Sequence, residues 1–173
     1  AKYPPNEGTP GLRAAISDWL RRRYRLSEER AHPDRAILPL NGTREGLFAA
    51  ALALVPPEKN GARAAVLIPN PFYQCYAAAA LAAGAEPVFV NATARTGHLP
   101  DLDALDPKLL DRTAALYLCS PANPQGAVAD GAYWRRLLTL AERHDFRIFA
   151  DECYAEIWRD APPPGALEAA EEM

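Results

Sequence analysis

Short apolar runs alternate with helical patterns along most of this chain, and this alternation limits the possible folds more than any other feature of the sequence. Five runs have the length and composition of buried strands, at residues 36–40, 64–68, 87–90, 114–119 and 146–150. Helical patterns separate most of them, at residues 43–55, 72–83 and 131–144, and a weaker one lies at 99–110. Apolar strands separated by helices are typical of a parallel sheet that is covered on both faces. The sequence therefore predicts an α/β fold of three layers, α/β/α, around a mostly parallel sheet.

An amphipathic helix is predicted before the first run, at residues 9–25. Thr9 followed by Pro10 is a helix-start signal. Apolar residues recur behind it at helical spacing, namely Leu12, Ile16, Trp19 and Leu20. The opposite face carries arginines that we expect to be solvated, namely Arg13, Arg21, Arg22, Arg23 and Arg25. At the other end of the chain, the tail rich in Ala and Glu has no evident element to pack against, and both ends look like those of a fragment.

The overall charge argues against a polyanion as partner. The 173 residues include 19 Lys and Arg against 22 Asp and Glu, which gives a formal net charge of -3. The sequence therefore shows no basic footprint for nucleic acid or for an anionic membrane surface. Because no stretch approaches about 18 consecutive apolar residues, and the amino end lacks the pattern of a signal peptide, we expect a cytoplasmic protein.

The cysteines and histidines do not indicate a metal site. Cys75, Cys119 and Cys153 are odd in number, widely spaced and set in apolar segments. This pattern predicts buried free thiols rather than a disulfide framework or a zinc site. The histidines are His32, His98 and His144. They are far apart and have no ligand partner four residues on, so we interpret them as surface or capping residues. A nucleotide-binding enzyme is also disfavoured, because no glycine-rich phosphate loop follows any predicted strand.

Candidate ligand-binding residues follow the predicted strands, at the edge where open parallel sheets bind ligands. Gly42, Thr43 and Arg44 follow the first run at the start of a helix, where free backbone N–H groups and the helix dipole suit a phosphate. An ordinary helix cap is the alternative, since Asn and Thr are common capping residues. Tyr73 lies at the entrance of the next helix, where an aromatic ring either stacks on a flat ligand or packs in the core.

Two further candidates, Asn123 and Asp151, follow the last two runs. Asn123 lies in a segment that two prolines and a glycine shape into a turn, and its amide offers a donor and an acceptor. A plain turn is the alternative there. Asp151 and Glu152 end a buried strand, where desolvation is costly unless one carboxylate meets a cation or a strong donor. A cap or a structural ion pair is the alternative for Asp151. Taken together, the four sites describe a pocket for a phosphorylated, flat heteroaromatic with a basic ring nitrogen.

Five phrases of the sequence occur in the order and spacing of one enzyme family. They are Tyr3-Pro-Pro-Asn-Glu-Gly-Thr-Pro-Gly-Leu-Arg13, Asn41-Gly-Thr-Arg-Glu-Gly46, Pro69-Asn-Pro-Phe-Tyr73, Asn123-Pro-Gln-Gly126 and Asp151-Glu-Cys-Tyr154. Over nearly its whole length the chain resembles the class I/II pyridoxal 5'-phosphate-dependent aminotransferases, which have the aspartate-aminotransferase fold (fold type I). Within that family it is most similar to bacterial succinyldiaminopimelate transaminases.

The resemblance implies a role for each candidate residue. Gly42, Thr43 and Arg44 would bind the cofactor phosphate through backbone N–H groups, and Tyr73 would stack on the pyridine ring. In the same comparison, Asn123 and Tyr154 match residues that hydrogen-bond the 3'-oxygen of the cofactor, and Asp151 matches the partner of the ring nitrogen. Tyr3 matches a tyrosine that reaches the phosphate of the neighbouring subunit, which implies a homodimer.

The resemblance also implies a division of the chain. Residues 1–30 would be the N-terminal helical segment of the large domain, and residues 31–173 would be part of that cofactor-binding domain, with the small C-terminal domain absent. The family's Schiff-base lysine would lie beyond Met173, because Lys2, Lys59 and Lys108 stand in the wrong context. We therefore expect the 173 residues by themselves to be inactive.

The implied activity is the transfer of an amino group between an amino acid and a 2-oxo acid. If the closer branch holds, the reaction pairs N-succinyl-diaminopimelate with 2-oxoglutarate and glutamate in lysine and diaminopimelate biosynthesis. Two alternatives stay open at this point: a pyridoxal-phosphate-dependent C–S lyase on the same fold, and a noncatalytic aminotransferase-like binding module.

Overall fold

Four parallel strands form the central sheet of the protein, whose structure is a computed structural model that describes residue 3 and residues 5–173. Ahead of the sheet lie α1 (Pro10–Tyr24), α2 (Thr43–Leu54) and a short antiparallel hairpin of β1 (Glu58–Lys59) and β2 (Ala62–Arg63). The sheet and its helices follow as β3 (Ala65–Asn70), α3 (Gln74–Ala82), β4 (Glu86–Asn91), α4 (Pro107–Asp111), β5 (Thr113–Cys119), α5 (Gly131–His144), β6 (Arg147–Asp151) and α6 (Ala166–Glu171).

The strand order creates a crevice at one edge of the sheet. The order is β4-β3-β5-β6, and all three pairings are parallel. After β4 the chain therefore crosses to the other side of β3 to form β5. Ligands of open α/β sheets bind outside the carboxyl ends of the strands at such a switch in strand order. The carboxyl ends of β3 and β5 are thus the expected place for a site.

Helices cover both faces of the sheet. On one face, Val66, Ile68 and Tyr117 belong to an apolar cluster completed by α2 and α3. On the other, Leu67 and Trp134 belong to a second cluster, to which α4, α5 and α6 contribute. This arrangement confirms the predicted three-layer α/β class. Among the residues that the structure describes, no helix combines the length and apolarity needed to cross a membrane.

The strand predicted at residues 36–40 is wrong. These residues form no strand, and Leu38 and Leu40 are 66% and 52% exposed. Pro39 lies in the middle of the run and has no N–H to donate to a neighbouring strand. Its ring instead packs closely against the turn at Gly8. A Cβ atom added to Gly8 would lie only 2.8 Å from Pro39 Cγ. The other four predicted strands are confirmed, with shifts of a few residues at their ends.

Two predictions for the second half of the chain, a helix at residues 99–110 and an unpacked tail, need correction. Only Pro107–Asp111 is helical within residues 99–110, because Asp106 caps a helix that begins at Pro107, and proline suits a first turn. The tail, predicted to lack a partner, forms α6 and packs on α5 with Ala166 and Ala169 buried. Before it, Trp134 Nε1 donates a hydrogen bond to the carbonyl of Pro164 at 3.3 Å.

Helix α1 buries a different face from the one predicted. Arg13 is only 8% exposed, whereas Leu12 and Trp19 are 48% and 38% exposed. The guanidinium of Arg13 is compensated by Asp34 at 2.7 Å and by the carbonyls of Glu7 and Gly8, which makes its burial tolerable. The same hydrogen bond lowers the pKa of the Asp34 carboxyl. The prediction that the arginine face is solvated is therefore wrong for Arg13.

Lys59 ties the hairpin to the sheet at the edge opposite the crevice. Its Nζ donates to the carbonyls of Thr113, His144 and Asp145 at 2.7, 2.6 and 2.6 Å. Two of these carbonyls belong to the end of α5, where the helix dipole favours a positive charge. One ammonium thus holds three backbone segments together. Of the two other lysines, Lys108 is exposed and Lys2 lies outside the described residues.

Replacing Lys59 with methionine is expected to lower the free energy of unfolding by about 2 kcal/mol. The methionine stem retains the packing of the side chain but leaves three carbonyls without their charged donor. Urea unfolding measures the change, and Lys108→Met is the matched control, expected to lie within about 0.5 kcal/mol of the parent. Equal stability of the two variants would show that the Lys59 contacts make no net contribution to the free energy of unfolding.

Candidate functional site

A cavity of about 600 Å³ lies at the carboxyl edge of the sheet. Its walls come from the start of α2, the β3–α3 connection, the loop after β5 and the end of β6. Six of the predicted site residues line it, namely Thr43, Arg44, Tyr73, Asn123, Asp151 and Tyr154. Gly42 directly precedes this wall as the N-cap residue of α2. Tyr3 is fully exposed and lies outside the cavity, so its role at a second subunit stays a prediction.

The start of α2 can serve as an anion site. Gly42 has extended backbone geometry, and no side chain among the described residues caps the helix. The backbone N–H groups at this end are therefore available to an anion, and the helix dipole favours one. The carboxylate of Glu45 lies against Gly42. A Cβ atom added to Gly42 would lie only 2.5 Å from Glu45 Oε2. The N-cap residue is Gly42, which has no side chain to cap the helix, and phosphate binding at this helix start stays a prediction.

Arg44 and Tyr73 form one unit on the cavity wall. The guanidinium Nε donates to the phenol oxygen of Tyr73 at 2.6 Å, and the guanidinium carbon lies 5.9 Å from the ring centroid. On its other side, the ring of Tyr73 meets the ring of Tyr76 edge to face, with centroids 5.7 Å apart. Two neighbours thus fix the ring of Tyr73 at the wall of the cavity, where a flat ligand would meet it.

Asp151 ends β6, and its carboxylate has a strong donor. The phenol of Tyr76 donates to Asp151 Oδ2 at 2.6 Å, and the backbone N–H of Cys153 donates to Oδ1 at 3.3 Å. Tyr76 is 1% exposed, and its burial, followed by the carboxylate of Asp151, raises the pKa of this phenol far above its ordinary value. Tyr76 therefore keeps its proton and donates it in the hydrogen bond. This supplies the strong donor that a carboxylate at a strand end requires.

Glu152 has a different role from its neighbour. Its Oε1 accepts a hydrogen bond from the backbone N–H of Ala166 at 2.8 Å, at the start of α6. Glu152 also faces Tyr24, and burial followed by the hydrogen bond to Glu152 raises the pKa of that phenol. Glu152 thus connects the end of β6 to the tail, and it does not line the cavity. The carboxylate of Asp151 therefore faces the cavity, whereas that of the next residue, Glu152, contacts the start of α6.

Asn123 and Tyr154 meet across the opening between the β5 loop and the segment after β6. The amide Nδ2 of Asn123 donates to the phenol oxygen of Tyr154 at 2.8 Å. The loop is also a turn, as the sequence predicts, since the N–H of Gly126 donates to the carbonyl of Ala122 at 2.7 Å and Gly126 has a φ of 71°. The turn and the ligand-facing role are therefore compatible.

Several residues that line the cavity were not singled out as site residues from the sequence, among them Tyr76, His98, Cys119 and Cys153. The position of Tyr76, three residues after Tyr73 on a helix, was an available signal, because such residues share a face. Of the cysteines, Cys75 is buried as predicted, whereas Cys153 is exposed, which corrects the prediction of buried thiols. Burial, followed by the charge of Asp151, raises the pKa of Cys119 to about 11 and that of Cys153 to about 12.

The donor set fits a small aromatic phosphate. The helix start suits the phosphate, the tyrosine ring suits a flat ring, and the carboxylate suits a protonated ring nitrogen. The amide and the phenol suit an oxygen substituent on that ring. The predicted site residues therefore lie together at one cavity, and their individual contacts with a ligand stay predictions.

Comparison with known proteins gives a consistent result. The sequence pattern of the family described as "Aminotransferase class I and II" matches residues 1–172. The LL-diaminopimelate aminotransferase of Dehalococcoides mccartyi is 33% identical over 169 residues, which are 97% of this chain and 42% of that protein. The chain thus spans less than half the length of this relative.

Solved structures agree with the sequence comparison. An aminotransferase from Neisseria meningitidis superposes with a TM-score of 0.88 at 38% identity, covering 99% of this chain and 42% of its own. A probable N-succinyldiaminopimelate aminotransferase from Thermus thermophilus superposes with a TM-score of 0.80 at 31% identity. The match covers 92% of this chain and 40% of that protein. Both values show the same fold over the described part of the chain.

Proposed function

The chain belongs to the class I and II aminotransferase family, and from that premise we propose that the whole protein transfers an amino group between an amino acid and a 2-oxo acid. The cofactor of this family is pyridoxal 5'-phosphate. The observation that carries the proposal is a cavity at which the start of α2, a fixed aromatic ring, an amide and a hydrogen-bonded carboxylate meet. When bound, this cofactor supplies an electron sink for the α-carbon of the amino acid.

In this proposal, the start of α2 binds the phosphate. The backbone N–H groups of Gly42, Thr43 and Arg44 donate to its oxygens, and the helix dipole adds to the attraction. The carboxylate of Glu45 lies at the same helix end and is displaced by the stronger anion. Tyr73 covers the cofactor ring, and the pair of Asn123 and Tyr154 binds its 3'-oxygen.

Asp151 holds the proton on the ring nitrogen. A carboxylate about 4 Å from a positively charged ring nitrogen is worth about 4 kcal/mol at an effective dielectric constant of about 20. Tyr76 orients this carboxylate through Oδ2, and because it remains protonated it adds no negative charge. With the cofactor bound, Asp151 would therefore favour the protonated form of the ring nitrogen.

The substrate class is a finer part of the proposal. Two of the relatives named above, those from Dehalococcoides mccartyi and Thermus thermophilus, carry names that refer to diaminopimelate or its N-succinyl derivative. We propose a dicarboxylic amino acid of this type as donor, with 2-oxoglutarate as acceptor, in lysine and diaminopimelate biosynthesis. We also propose a homodimer in the cytoplasm. A second subunit gives the exposed Tyr3 a phosphate to contact, and size-exclusion chromatography with light scattering tests the dimer.

Two assays on the whole natural protein test the function. Borohydride reduction followed by intact-mass measurement is expected to show one covalently retained pyridoxyl group. Glutamate formation from 2-oxoglutarate is then compared with LL-diaminopimelate and with N-succinyl-LL-diaminopimelate as donors. Pyruvate release from a cysteine conjugate, without any glutamate formed, would assign the lyase instead. A protein with neither cofactor nor activity would contradict the proposal.

Replacing Arg44 with methionine is expected to weaken pyridoxal phosphate binding by about threefold. The substitution keeps the backbone N–H at the phosphate but removes the side chain that fixes Tyr73, a contact of the strength typical of exposed cation–π pairs. Equilibrium dialysis measures the dissociation constant, and the exposed Arg95→Met variant is the control. Unchanged binding in Arg44→Met would show that the side chain does not help to position Tyr73.

A further inference from the structure

Three side chains at the base of the cavity form a cluster of possible metal ligands. The sulfurs of Cys119 and Cys153 and a carboxylate oxygen of Asp151 all lie within 4.8 Å of one another. The sheet produces this cluster, because Cys119 is the register partner of Asp151 on neighbouring parallel strands, and Cys153 follows two residues later. All three residues line the cavity. The sequence separations, 32 and 2 residues, resemble no common zinc motif, which is why the sequence does not indicate the site.

The chemistry of the donors selects a class of cation. Two thiolates with one carboxylate suit soft or borderline divalent cations, whereas Mg²⁺ and Ca²⁺ prefer oxygen ligands alone. Around a tetrahedral zinc ion, bonds of about 2.3 Å to sulfur and about 2.1 Å to oxygen place the ligand atoms about 3.5–3.8 Å apart. Because the three atoms lie within 4.8 Å of one another, no pair has to approach by more than about 1.3 Å to reach that spacing. Cys153 is exposed and has room to make this adjustment.

The carboxylate is already oriented for a ligand. Tyr76 occupies one side of Asp151 Oδ2, and the backbone N–H of Cys153 holds Oδ1. The carboxylate oxygens keep further lone pairs, since each accepts one hydrogen bond here. The thiol of Cys119 donates only a weak hydrogen bond, to the carbonyl of Pro121 at 3.1 Å. No strong ion pair among the described residues has to be broken before a cation binds.

We propose that the cofactor-free protein binds one soft or borderline divalent cation, of the Zn²⁺ class, through Cys119, Asp151 and Cys153. Two sulfur–metal bonds and one oxygen–metal bond form, and the two thiol S–H bonds break. Both protons go to solvent and no electrons are transferred. Three protein ligands leave a fourth position for water, as in zinc sites that exchange their metal or bind a ligand.

The site has a consequence for the cofactor, which rests on the proposed function. A metal cation and a protonated ring nitrogen would compete for the same carboxylate and repel each other in the same cavity. Cation binding and pyridoxal phosphate binding therefore exclude each other. The cation would hold the protein in a form that the cofactor cannot enter.

Titration with Cd²⁺ tests the metal site directly. The cofactor-free, fully reduced protein is titrated while the ultraviolet absorption of thiolate-to-cadmium charge transfer is recorded, and Zn²⁺ is then added as competitor. We expect about one Cd²⁺ per chain, displaced by Zn²⁺ but not by Mg²⁺. Cys119→Ser and Cys153→Ser should each weaken Cd²⁺ binding by at least about 100-fold. Loss of a residue that only hydrogen-bonds a metal ligand costs about 10–100-fold in affinity, and loss of the ligand itself costs more.

Cys75→Ser is the matched control. Cys75 is buried outside the cluster, where its thiol donates to the carbonyl of Arg44, so this variant should bind Cd²⁺ like the parent. Circular dichroism confirms the fold of each variant, and the exposed position of Cys153 makes its substitution the safest for folding. Absence of the absorption band, or its persistence in the double variant of Cys119 and Cys153, would overturn the site.

A second titration separates this inference from the proposed function. Protein loaded with pyridoxal phosphate is expected to show no cadmium–thiolate band until the cofactor is removed. A band of full strength in the loaded protein would overturn the exclusion while leaving the metal site itself intact. If the protein binds no pyridoxal phosphate, the proposed function fails, and the titration of the cofactor-free protein still decides the metal site.

Discussion

Replacing Asp151 with asparagine is expected to lower kcat/KM for amino transfer by about a thousandfold in the whole protein. The amide retains the size of the side chain but removes the charge worth about 4 kcal/mol to the protonated ring nitrogen. Without that charge, the ring loses its proton and much of its ability to accept electrons from the substrate. Steady-state kinetics measures the loss, with whichever of the two proposed donors supports glutamate formation by the parent.

Glu152→Gln is the matched control for this experiment. Glu152 is the next residue and also carries a carboxylate, but its contacts are with Ala166 and Tyr24 rather than with the cavity. We expect its substitution to lower the stability of the tail while kcat stays within about twofold of the parent. Equal losses of kcat/KM in the two variants would mean that Asp151 acts only through the fold.

Replacing Trp134 with alanine is expected to lower the free energy of unfolding by about 3–5 kcal/mol. Trp134 is fully buried in the cluster between the sheet, α5 and α6, and its indole N–H donates to the carbonyl of Pro164. The substitution leaves a large void and a carbonyl without its donor. Because most domains are stable by only about 5–15 kcal/mol, the variant should unfold at a much lower urea concentration.

Trp158→Ala controls for the loss of an indole ring. Trp158 is 47% exposed and belongs to none of the buried apolar clusters, so its substitution should change stability by less than about 1 kcal/mol. Unfolding is followed by far-ultraviolet circular dichroism, which does not depend on tryptophan fluorescence. If Trp134→Ala were as stable as Trp158→Ala, the tail would not be an integral part of the core.

The sheet was largely predictable because its two central strands, β3 and β5, are buried on both sides. An apolar run such as residues 64–68 has only one favourable place in an α/β fold, and the helices between the runs fix parallel pairing. The run at 36–40 is also apolar, yet it forms no strand, and Pro39 packs against the turn at Gly8 instead. Neither composition nor a proline separates the two cases, since Pro69 and Pro87 lie within β3 and β4.

Contacts distant in sequence explain the other failures. Arg13 is buried because Asp34, 21 residues later, and two backbone carbonyls meet its guanidinium. The tail folds because Trp134 packs with it in the core and donates a hydrogen bond to the carbonyl of Pro164, while Glu152 accepts one from the N–H of Ala166. A pattern of helical spacing does not show which partners lie across the fold. For the same reason, the three-carbonyl contact of Lys59 has no signature in the sequence.

The candidate site was predictable in its parts because parallel strands deliver their following residues to one edge. This rule brings Tyr73, Asn123 and Asp151 to a common cavity from separate loops, whereas Thr43 reaches it at the start of α2 with no strand before it. It does not show how their side chains are held. The hydrogen bond from Tyr76 to Asp151 joins α3 to β6 across β5, and the convergence of Cys119 with Cys153 depends on the register of two strands.

A crystal structure of the whole natural protein with pyridoxal 5'-phosphate tests the central claim most directly. The account predicts the phosphate at the backbone N–H groups of Gly42, Thr43 and Arg44, the ring against Tyr73, and the ring nitrogen facing the carboxylate of Asp151. A cofactor bound with its phosphate elsewhere, or with its ring nitrogen turned away from Asp151, would contradict the account.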